Sequence, residues 1–395
     1  MNDVAALVAM HVNQISETES SYGPPIALAE FLKRKTQSCA IITHPFSWSH
    51  PSPSRVEWVQ KGKTVRKITL PNFPLPEPAA YFRDLVVGIC AILFLQLRVE
   101  FYVGADGINT IAGLVLRRLG RAKTVVYYSI DYSPARFHNP LLNGAYHVLD
   151  KFCARRSDYV WNLSSRMANV RRKQGVEDKR NLVVPVGTSP GRIRPTTERE
   201  GNTIVFLSHL IPSKGIDIVL DAMPIVLADV PNAKLVIIGH GPYEDRIKKI
   251  IIERKLESNI FLYGSMNHEE ILRILPSFAL GLAPYSPSPD SITWYADPTK
   301  IKDYLSCGLA VVMTGVPEIA SEVERREAGI IVSYSSNQLA DAVVKLLSSS
   351  DLEHLQRNAH VMAGEYDWSK LFSSAIKIAE TTDDRQPSIM DLPQP

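Results

Sequence analysis

The sequence contains little cysteine, and the few cysteines it has are far apart. Among 395 residues there are four cysteines, and no two of them form a CxxC pair: Cys39, Cys90, Cys153 and Cys307. This spacing argues against a disulfide-stabilised scaffold and against a zinc site, because both need clustered thiols. We therefore expect reduced thiols, as is typical of a cytosolic protein.

Long apolar segments are also missing. The longest apolar run, Leu85–Leu97, has about 13 residues and is followed by Arg98, whereas a helix that crosses a bilayer needs roughly 20. The chain does not open with the basic, apolar and small-residue segments of a secretory signal. The run is therefore interpreted as a buried helix, with a membrane-dipping segment as the less favoured alternative, and a cytoplasmic location is expected.

Several catalytic motifs are absent from the sequence. There is no GxSxG nucleophile elbow and no Walker lysine loop, and no DxD pair follows a strand-like segment, since Asp383-Asp384 lies in a polar tail. These absences argue against a serine hydrolase, a P-loop nucleotide hydrolase and metal-dependent nucleotide binding. We expect a protein that needs neither a metal ion nor another cofactor.

The charge of the chain is divided unevenly between its two halves. Residues 1–195 hold 26 Lys and Arg against 14 Asp and Glu, a net +12, whereas the remainder holds 18 against 27, a net −9. An anionic membrane surface would attract the basic clusters of the first half, which are Lys33-Arg34-Lys35, Arg117-Arg118, Arg155-Arg156 and Arg171-Arg172-Lys173. We predict peripheral association with the inner face of the membrane; the alternative is an ordinary solvated surface. Nucleic acid is not an expected partner, because no RNA-binding or helix-turn-helix pattern accompanies the clusters.

Strand-like and helix-like segments alternate along both halves, and the alternation restarts near residue 200. Strands separated by helices of roughly 10 to 20 residues predict βαβ units and parallel sheets. The sequence therefore predicts an α/β protein with two Rossmann-like, doubly wound domains that face each other across a cleft. The expected boundaries are 1–190 for the first domain, 191–365 for the second, 366–380 for a C-terminal helix crossing back to the first domain, and 381–395 for a disordered tail.

Some segment predictions are specific enough to be tested one by one. A polar loop is expected over Asn13–Pro25 and a helix over Ala79–Arg98. A strand is expected over Leu182–Val186, followed by a polar linker over Gly187–Gly201 that contains two prolines and three glycines. Ligands of such sheets bind at the carboxyl ends of the strands.

The most informative segment lies in the second half, where a polar turn carrying Lys300 leads into a short helix that ends at Gly308. A helix N-terminus has free backbone N–H groups and the positive end of the helix dipole, and both favour a phosphate. Lys300 would add a mobile positive charge, with Thr299 beside it and Asp303 one turn later. The pattern suits a nucleoside diphosphate that carries a sugar. Its alternative is an ordinary αβ unit with a surface lysine.

Two Rossmann-like halves followed by a C-terminal helix that crosses back resemble the GT-B glycosyltransferases. Leu235–Pro242, which contains Gly239 and Gly241, is similar to the glycine turn of their second domain. Ser213–Asp217 is similar to the lysine-glycine turn of glycosyltransferase family 4, and the resemblance implies that Lys214 contacts the donor diphosphate. The alternatives are a surface lysine and a plain turn.

Three positions depart from the pattern of retaining family 4 enzymes. His209 stands where that family has an arginine, and Ile130 stands where its retaining members have a histidine. The positions of its paired glutamates hold Tyr295 and Asp303. His209 would replace the donor contact of the arginine, or it is an ordinary histidine at a strand end. A retaining enzyme is therefore the runner-up.

The second half resembles more closely the inverting β-glucuronosyltransferases of xanthan assembly. Tyr263–His268, which includes Met266, and Leu280–Tyr285 are similar to segments of their donor domain, as are Ala296-Asp297 and the spacing of Lys300 and Gly308. The resemblance implies that Tyr285, Lys300 and Asp303 contact UDP, although Asp303 replaces a glutamine. UDP-glucuronic acid is the donor that the resemblance suggests, and the expected acceptor is a lipid-linked or polymeric glycan.

In the first half the resemblance rests on Asp131, which follows an apolar strand in a Tyr-x-x-x-Asp context, Tyr127–Asp131. An inverting transfer needs one carboxylate to accept the proton of the attacking hydroxyl. No general acid is needed for a UDP leaving group, whose growing charge requires cations and N–H donors instead. We predict that Asp131 is this general base. The alternative is a helix N-cap before Pro134 or Asn139.

Two functions from other classes stay open at this point. A nucleotide-sugar 2-epimerase would convert a UDP-sugar without an acceptor, and analysis of the products formed without acceptor would separate it from a transferase. A non-catalytic module that binds nucleotide-sugar or glycan would be favoured if Asp131 did not face the ligand. The anomeric configuration of the product would separate inverting from retaining transfer.

Overall fold

The computed structural model describes residues 2–16, 20–70, 75–189, 201–288 and 292–381. The chain divides into two compact units, one formed by Met1–Pro185 with the segment that starts at Trp368, and the other by Val186–Asp367. Each unit is an α/β layer structure with its own sheet. The α/β fold class with two Rossmann-like units is therefore confirmed.

The first unit contains an eight-stranded sheet with the order β4-β3-β2-β1-β5-β6-β7-β8. Its strands are β1 Asn2–Val12, β2 Ser38–Pro45, β3 Ser54–Gln60, β4 Lys63–Leu70, β5 Leu97–Gly104, β6 Ala122–Ser129, β7 Tyr159–Asn162 and β8 Asn181–Val183. Its helices are α1 Pro24–Lys35, α2 Glu77–Phe94, α3 Gly107–Arg118, α4 Pro140–Arg156, α5 Ser165–Lys173 and α14 Trp368–Thr381.

The sheet of the first unit is parallel from β2 to β8, whereas β3 and β4 are antiparallel to their neighbours. Helix α14 belongs to this unit: the ring of Phe372 lies 5.5 Å from that of Phe31 on α1, and Tyr159 Oη donates a hydrogen bond to the carbonyl of Ala379. The β-branched and aromatic residues of β1, β5 and β6 are almost fully buried, as expected of central strands covered on both faces.

The second unit contains a six-stranded parallel sheet with the order β11-β10-β9-β12-β13-β14. Its strands are β9 Thr203–Leu207, β10 Lys234–Ile238, β11 Ile260–Gly264, β12 Leu280–Ala283, β13 Ala310–Thr314 and β14 Gly329–Val332. Its helices are α6 Ile216–Asp229, α7 Glu244–Glu253, α8 His268–Ile274, α9 Ile292–Tyr295, α10 Thr299–Ser306, α11 Ala320–Arg325, α12 Ser336–Leu347 and α13 Asp351–Ala363.

Some element predictions were wrong. The helix expected over Ala79–Arg98 spans Glu77–Phe94, because the chain turns at Gln96, which has φ +52°, and β5 starts at Leu97. The strand expected over Leu182–Val186 is the three-residue β8. Most of the predicted linker, residues 190–200, and the predicted tail beyond Thr381 lie outside the described residues, as do residues 17–19 of the predicted polar loop.

The cysteine and apolar-run predictions can be compared with the structure. All four cysteines are free thiols, and Cys90 is the exposed one. The run Leu85–Leu97 forms the second half of α2 and the start of β5, and only part of it is buried. Across the described ranges, none of the helices has both the length and the hydropathy that crossing a bilayer requires.

Candidate functional site

The carboxyl ends of β9 and β12 diverge in the second unit, and α10 fills the gap between them. Their pairing stops at Gly281 and Val205. Beyond that point the hydroxyl of Tyr304 accepts a hydrogen bond from the Leu207 N–H at 2.8 Å and lies 3.4 Å from the Leu282 carbonyl. A Cβ on Gly281 would lie 2.6 Å from the Tyr304 ring. This contact therefore fixes α10 against the strand ends.

Lys300 lies one turn before Tyr304 on α10 and is directed to the same strand ends. Its Nζ donates a hydrogen bond to Ser208 Oγ, directly after β9, at 3.1 Å. The same ammonium lies 4.7 Å from the ring centre of Tyr285 and 5.1 Å from that of Phe206. Because Tyr285 is almost fully buried, its ring is a fixed surface against which Lys300 packs.

Lys214 approaches the same tyrosine from the loop between β9 and α6. Its Nζ lies 5.4 Å from the Tyr285 ring centre and donates a hydrogen bond to Thr293 Oγ1 at 3.1 Å. The carbonyl of Tyr285 accepts a hydrogen bond from Thr314 Oγ1 at 2.7 Å, which fixes the turn after β12. Two lysines from segments 86 residues apart therefore lie against one aromatic ring.

The electrostatics of this pair favour an anion. Burial lowers the pKa of Lys300 well below its ordinary value, and the charge of Lys214 acts in the same direction. Burial is also the main reason why the pKa of the Tyr285 hydroxyl is raised. A phosphate between two ammoniums would relieve their mutual repulsion and restore the proton of Lys300. The two ammonium groups therefore form a positively charged centre that suits an anion such as a phosphate.

The predicted glycines have a packing role beside the lysines. A Cβ on Gly215, which has φ +81°, would lie 1.7 Å from the Pro284 carbonyl oxygen, and one on Gly239, with φ +128°, would lie 1.8 Å from that of Ser208. A Cβ on Gly241 would lie 2.5 Å from the Leu210 carbonyl oxygen. The Gly239 N–H donates to the Gly264 carbonyl at 2.8 Å. These glycines let neighbouring loops pack backbone to backbone.

The other predicted donor residues lie at different places around this centre. His209 is exposed, and its ring lies edge-on to that of His240 at 6.0 Å. Thr299 is the first residue of α10 and is partly exposed, and Met266 is partly buried against the core cluster that includes Tyr285. Asp303 is buried, and its Oδ1 lies 3.1 Å from Nε2 of His268.

The structure therefore brings Lys300, Lys214 and Tyr285 together, with Ser208 and Thr293 as hydrogen-bond partners that sequence reasoning missed. The carboxylate of Asp303 contacts His268 on α8 and not the two lysines, although residues three apart on a helix lie on one face; its contact with UDP stays a prediction. No metal-binding cluster of three or more His, Cys, Asp or Glu is found within the described ranges; metal independence stays a prediction.

A buried ion pair anchors the turn before Lys300. Lys302 Nζ lies 3.3 Å from Asp297 Oδ2, and both side chains are almost fully buried. The same Oδ2 accepts a hydrogen bond from the Val186 N–H at 2.8 Å, and the ammonium lies 3.4 Å from the ring centre of Tyr366. Burial raises the pKa of Asp297 and lowers that of Lys302 to about 8. The pair links the turn to Val186 and Tyr366, which lie at the beginning and near the end of the second unit.

Asp131, the predicted base, follows β6 in the first unit and is half-exposed. Its Oδ2 accepts a charged hydrogen bond from Nη1 of Arg136, and its main-chain carbonyl lies 3.4 Å from the Tyr146 hydroxyl. The N-cap of α4 is Asn139, whose side chain accepts hydrogen bonds from two helical N–H groups. The cap that was the alternative for Asp131 is therefore supplied by a different residue.

The segment before Asp131 is held by an ion pair in the interior of the first unit. Arg171 is completely buried; its guanidinium donates to Asp150 and, at 2.6 Å, to Ser129 Oγ. Tyr127 Oη donates to the other oxygen of Asp150 at 2.7 Å. The prediction that Arg171 contributes to a basic surface is wrong, because helical periodicity directs it inward with Met167 and Ala168.

A second titratable cluster in the first unit lies at the carboxyl ends of β1, β2 and β5. His11 lies between two carboxylates, with Nδ1 2.8 Å from Asp106 and Nε2 3.3 Å from Asp84. These neighbours outweigh burial and raise the pKa of His11 to about 9, whereas burial lowers that of His44 to about 3. Asp106 also caps α3 by accepting the Asn109 N–H. The cluster ties the strand ends to α2 and α3, and within it Nε2 of His44 is buried without a hydrogen-bond partner.

Comparison with known proteins places this centre in a recognised domain. A family model described as "Glycosyl transferases group 1" matches residues 201–349. The matched segment contains Lys214, Gly239, Tyr285 and Lys300. The chain therefore carries a glycosyltransferase group 1 domain in its second unit.

Relatives and solved structures extend the similarity. The chain is 29% identical over 147 residues to the gpi3 subunit of the phosphatidylinositol N-acetylglucosaminyltransferase of Schizosaccharomyces pombe, covering 36% of this chain and 31% of that protein. It is 23% identical over 302 residues to WcaL of Escherichia coli K12, a protein named as a putative colanic acid biosynthesis glycosyltransferase, covering 73% of this chain and 72% of the relative. The chain spans less than half the length of the first two curated relatives it matches.

Among solved structures, HepE of Anabaena in complex with UDP superposes with a TM-score of 0.66 at 15% identity, covering 97% of this chain and 99% of the other. Because the identity is low, this similarity concerns the fold alone. Together with the group 1 domain, it shows that the fold is that of the GT-B glycosyltransferases.

Proposed function

We propose that this protein is a hexosyltransferase that transfers a sugar from a UDP-sugar to a lipid-linked or polysaccharide acceptor. The observation that carries the proposal is the placement of Lys300 and Lys214 on the ring of Tyr285, at the carboxyl ends of the strands of a glycosyltransferase group 1 domain. That is where a parallel α/β sheet binds its ligands. The complex of HepE with UDP and the relatives named for glycolipid and polysaccharide synthesis support the same assignment.

The proposed role of the second unit is to bind the donor and to stabilise the leaving group. As the bond between the sugar C1 and the phosphate oxygen breaks, negative charge grows on the diphosphate of UDP. Lys300 and Lys214 would offset that charge, and the N-terminal turn of α10, with Thr299, would add backbone N–H groups and the helix dipole. Gly239 and Gly241 allow the loops after β9 and β10 to approach this region closely.

The proposed role of the first unit is to bind the acceptor and to supply the base. In an inverting transfer the acceptor oxygen attacks C1, its proton passes to Asp131, and UDP leaves with the bonding electrons. Asp131 follows a central strand and is half-exposed, as a base that meets an external hydroxyl must be. UDP-glucuronic acid is the leading donor, on the resemblance of Tyr263–His268 and Leu280–Tyr285 to the xanthan enzymes.

A retaining transfer is the second candidate, and one observation favours it. Arg136 forms an ion pair with the carboxylate of Asp131. The carboxylate would have to leave this charged partner before it could accept a proton. A retaining reaction would not need Asp131 as a base. The configuration of the product at C1, determined by NMR with a substrate of known configuration, separates the two reactions.

The test of the proposal is a donor screen followed by a transfer assay. UDP- and GDP-sugars are compared for thermal stabilisation of the protein, and UDP-sugars, UDP-glucuronic acid foremost, should raise the unfolding temperature more than GDP-sugars. The active donor is then incubated with and without glycan acceptors. UDP release that depends on the acceptor supports the transferase. Conversion of the UDP-sugar into another UDP-sugar without acceptor would identify an epimerase and contradict the proposal.

A further inference from the structure

Helix α4 has two different faces, and the inner one holds the loop that contains Asp131. Asn143 Nδ2 donates to the Pro134 carbonyl at 2.9 Å, and Asn143 Oδ1 accepts the Phe137 N–H. One turn later, Nε2 of His147 lies 2.9 Å from the same carbonyl of Pro134. The loop between β6 and α4 is therefore attached to α4 along two turns of the helix.

The outer face of α4 is apolar and exposed. Leu141, Val148 and Phe152 lie on it at helical spacing, with 85%, 72% and 42% of their surfaces exposed. Leu142 is 43% exposed, and Gly144, between the leucines and the valine, is accompanied by Ala145 at the surface. Large apolar side chains at i, i+7 and i+11 form a single stripe along the helix. Such a stripe on the surface of a protein indicates an interaction site.

The charges beside the stripe are of one sign. Helix α4, which is described along its whole length, has one acidic residue, Asp150, and that carboxylate is buried against Arg171. The exposed charged residues of α4 are Lys151, Arg155 and Arg156. A helix that combines exposed apolar and exclusively basic residues on its outer side is typical of binding in the interface of an anionic bilayer.

Helix α2 also exposes large apolar side chains, but its charges differ. Phe82 and Phe94 are 67% and 73% exposed. The exposed charged residue of α2 is Glu77, and Arg83 is engaged with the buried Asp84. Helix α2, also described along its whole length, itself presents no exposed basic residue to an anionic surface, whereas α4 presents three. Beside α2, Arg66 of β4 lies 5.8 Å from the ring centre of Phe94.

We propose that α4 is the membrane-docking element of this protein, with the stripe of Leu141, Val148 and Phe152 inserted among the headgroups of an anionic bilayer and Lys151 and Arg155 paired with lipid phosphates. The docked helix holds the Asp131 loop at the lipid surface, where a lipid-linked acceptor presents its sugar. The docking of α4 stands on its own observations, and only this role in acceptor delivery rests on the proposed function.

The test measures how the full chain partitions onto vesicles of phosphatidylcholine mixed with phosphatidylglycerol, and onto pure phosphatidylcholine. The wild type should bind the anionic vesicles. The double variant Leu141→Ser with Val148→Ser should reduce partitioning about tenfold or more at low and at high salt, because the apolar contribution is not screened. Lys151→Glu with Arg155→Glu should reduce it about tenfold or more at low salt, and the difference from the wild type should shrink as salt rises.

A matched control carries the same chemical change elsewhere. Ile252 on α7 and Val361 on α13 are 63% and 70% exposed in the second unit, and Ile252→Ser with Val361→Ser should leave partitioning unchanged. Stabilisation by UDP should be the same in all variants, because the residues assigned to UDP lie in the second unit. Loss of UDP stabilisation in every protein, the wild type included, would contradict the proposed function without affecting the docking result.

Three outcomes would overturn the docking proposal. The first is a wild type that does not bind anionic vesicles. The second is a Leu141→Ser, Val148→Ser variant that binds them as well as the wild type and the control do. The third is a wild-type dimer in light scattering that this variant converts to a monomer without any change in vesicle binding, which would identify a second copy of the chain as the occupant of the stripe.

Discussion

Lys300 and Lys214 lie against the same aromatic ring, with their ammonium nitrogens 4.7 Å and 5.4 Å from the ring centre of Tyr285. Each is also held by one hydroxyl, Ser208 for Lys300 and Thr293 for Lys214. Like charges at such positions oppose each other, and the low pKa of Lys300 records that opposition together with its burial. A diphosphate, the proposed ligand, would make the arrangement favourable.

Replacing Lys300 with alanine should weaken UDP binding by roughly 10- to 150-fold, because one charged hydrogen bond contributes about 1.5–3 kcal/mol. Isothermal titration with UDP measures the change. The control is Lys345→Ala, an exposed lysine on α12 of the same unit, which should bind UDP as the wild type does. An unchanged UDP affinity in Lys300→Ala would remove Lys300 from the site.

UDP binding should take up a proton at alkaline pH. The pKa of Lys300 is lowered in the free protein, and an adjacent phosphate raises it again. The affinity for UDP therefore falls as the pH rises through the lowered pKa of Lys300. Above that pKa, Lys300 must take up a proton when UDP binds. Titrations at one alkaline pH in two buffers of different ionisation enthalpy measure this uptake. Lys300→Met should abolish it; equal uptake by wild type and variant would show that another group titrates.

Breaking the buried pair of Asp297 and Lys302 should destabilise the second unit. Lys302→Met leaves the carboxylate of Asp297 buried without its cation and should cost about 3–5 kcal/mol in the free energy of unfolding. The double variant Asp297→Asn with Lys302→Met should recover most of that loss, because the amide oxygen still accepts the Val186 N–H. Urea unfolding of both variants and the wild type provides the comparison, and a double variant less stable than Lys302→Met would contradict the prediction.

The same pair has a pH dependence whose sign follows from Lys302. Its pKa is about 8 in the folded protein and about 10.4 in an unfolded chain. Between these values the unfolded chain binds more protons, so the contribution of Lys302 to folding stability rises with pH across this window and is smallest below pH 8. Unfolding midpoints between neutral and alkaline pH, compared with those of Lys302→Met, isolate this contribution.

Two glycine-to-alanine variants test the packing role of Gly239. Gly239→Ala places a methyl group within 1.8 Å of the Ser208 carbonyl oxygen at φ +128°, and the variant should lose roughly 2 kcal/mol or more of stability. Gly144→Ala on α4 has no neighbouring atom within 4 Å and should be stabilising by about 0.5–1 kcal/mol, because alanine is the better helix former. Thermal unfolding measures both. Equal stability of the two variants would contradict the packing role of Gly239.

The sequence was sufficient to predict the alternation of strands and helices and the position of Lys300, because both depend on local patterns. It was not sufficient for β3, which lies after the prolines at 51 and 53 and pairs antiparallel through a tight turn at Lys61-Gly62, where both residues have positive φ. A lysine-glycine turn between two short alternating segments would have indicated this hairpin.

Tertiary partners explain why the site was predicted only in part. Tyr304 is four residues after Lys300 and could have been identified as its neighbour on α10. The partner of Asp303, His268, is 35 residues away in the chain, and no local pattern relates them. Arg171 was assigned to the surface because it stands in a run of three basic residues, although its spacing from Met167 and Ala168 places it on the buried side of α5.

Asp131→Asn should retain UDP binding and lose transfer by roughly 10²–10⁴-fold, which is the usual contribution of a general base. The amide has nearly the shape of the carboxylate and can still accept a hydrogen bond from Arg136, but it cannot take a proton from the acceptor at neutral pH. Single-turnover transfer and a UDP titration on the same preparation measure the two effects.

Arg136→Gln is the matched control, since it removes the arginine of the ion pair and leaves the carboxylate of Asp131. This variant should retain transfer at least as fast as the wild type. Near-normal transfer by Asp131→Asn would exclude the base assignment and favour the retaining reaction. Slow transfer by both variants would mean that the ion pair, rather than the carboxylate, is what the reaction needs.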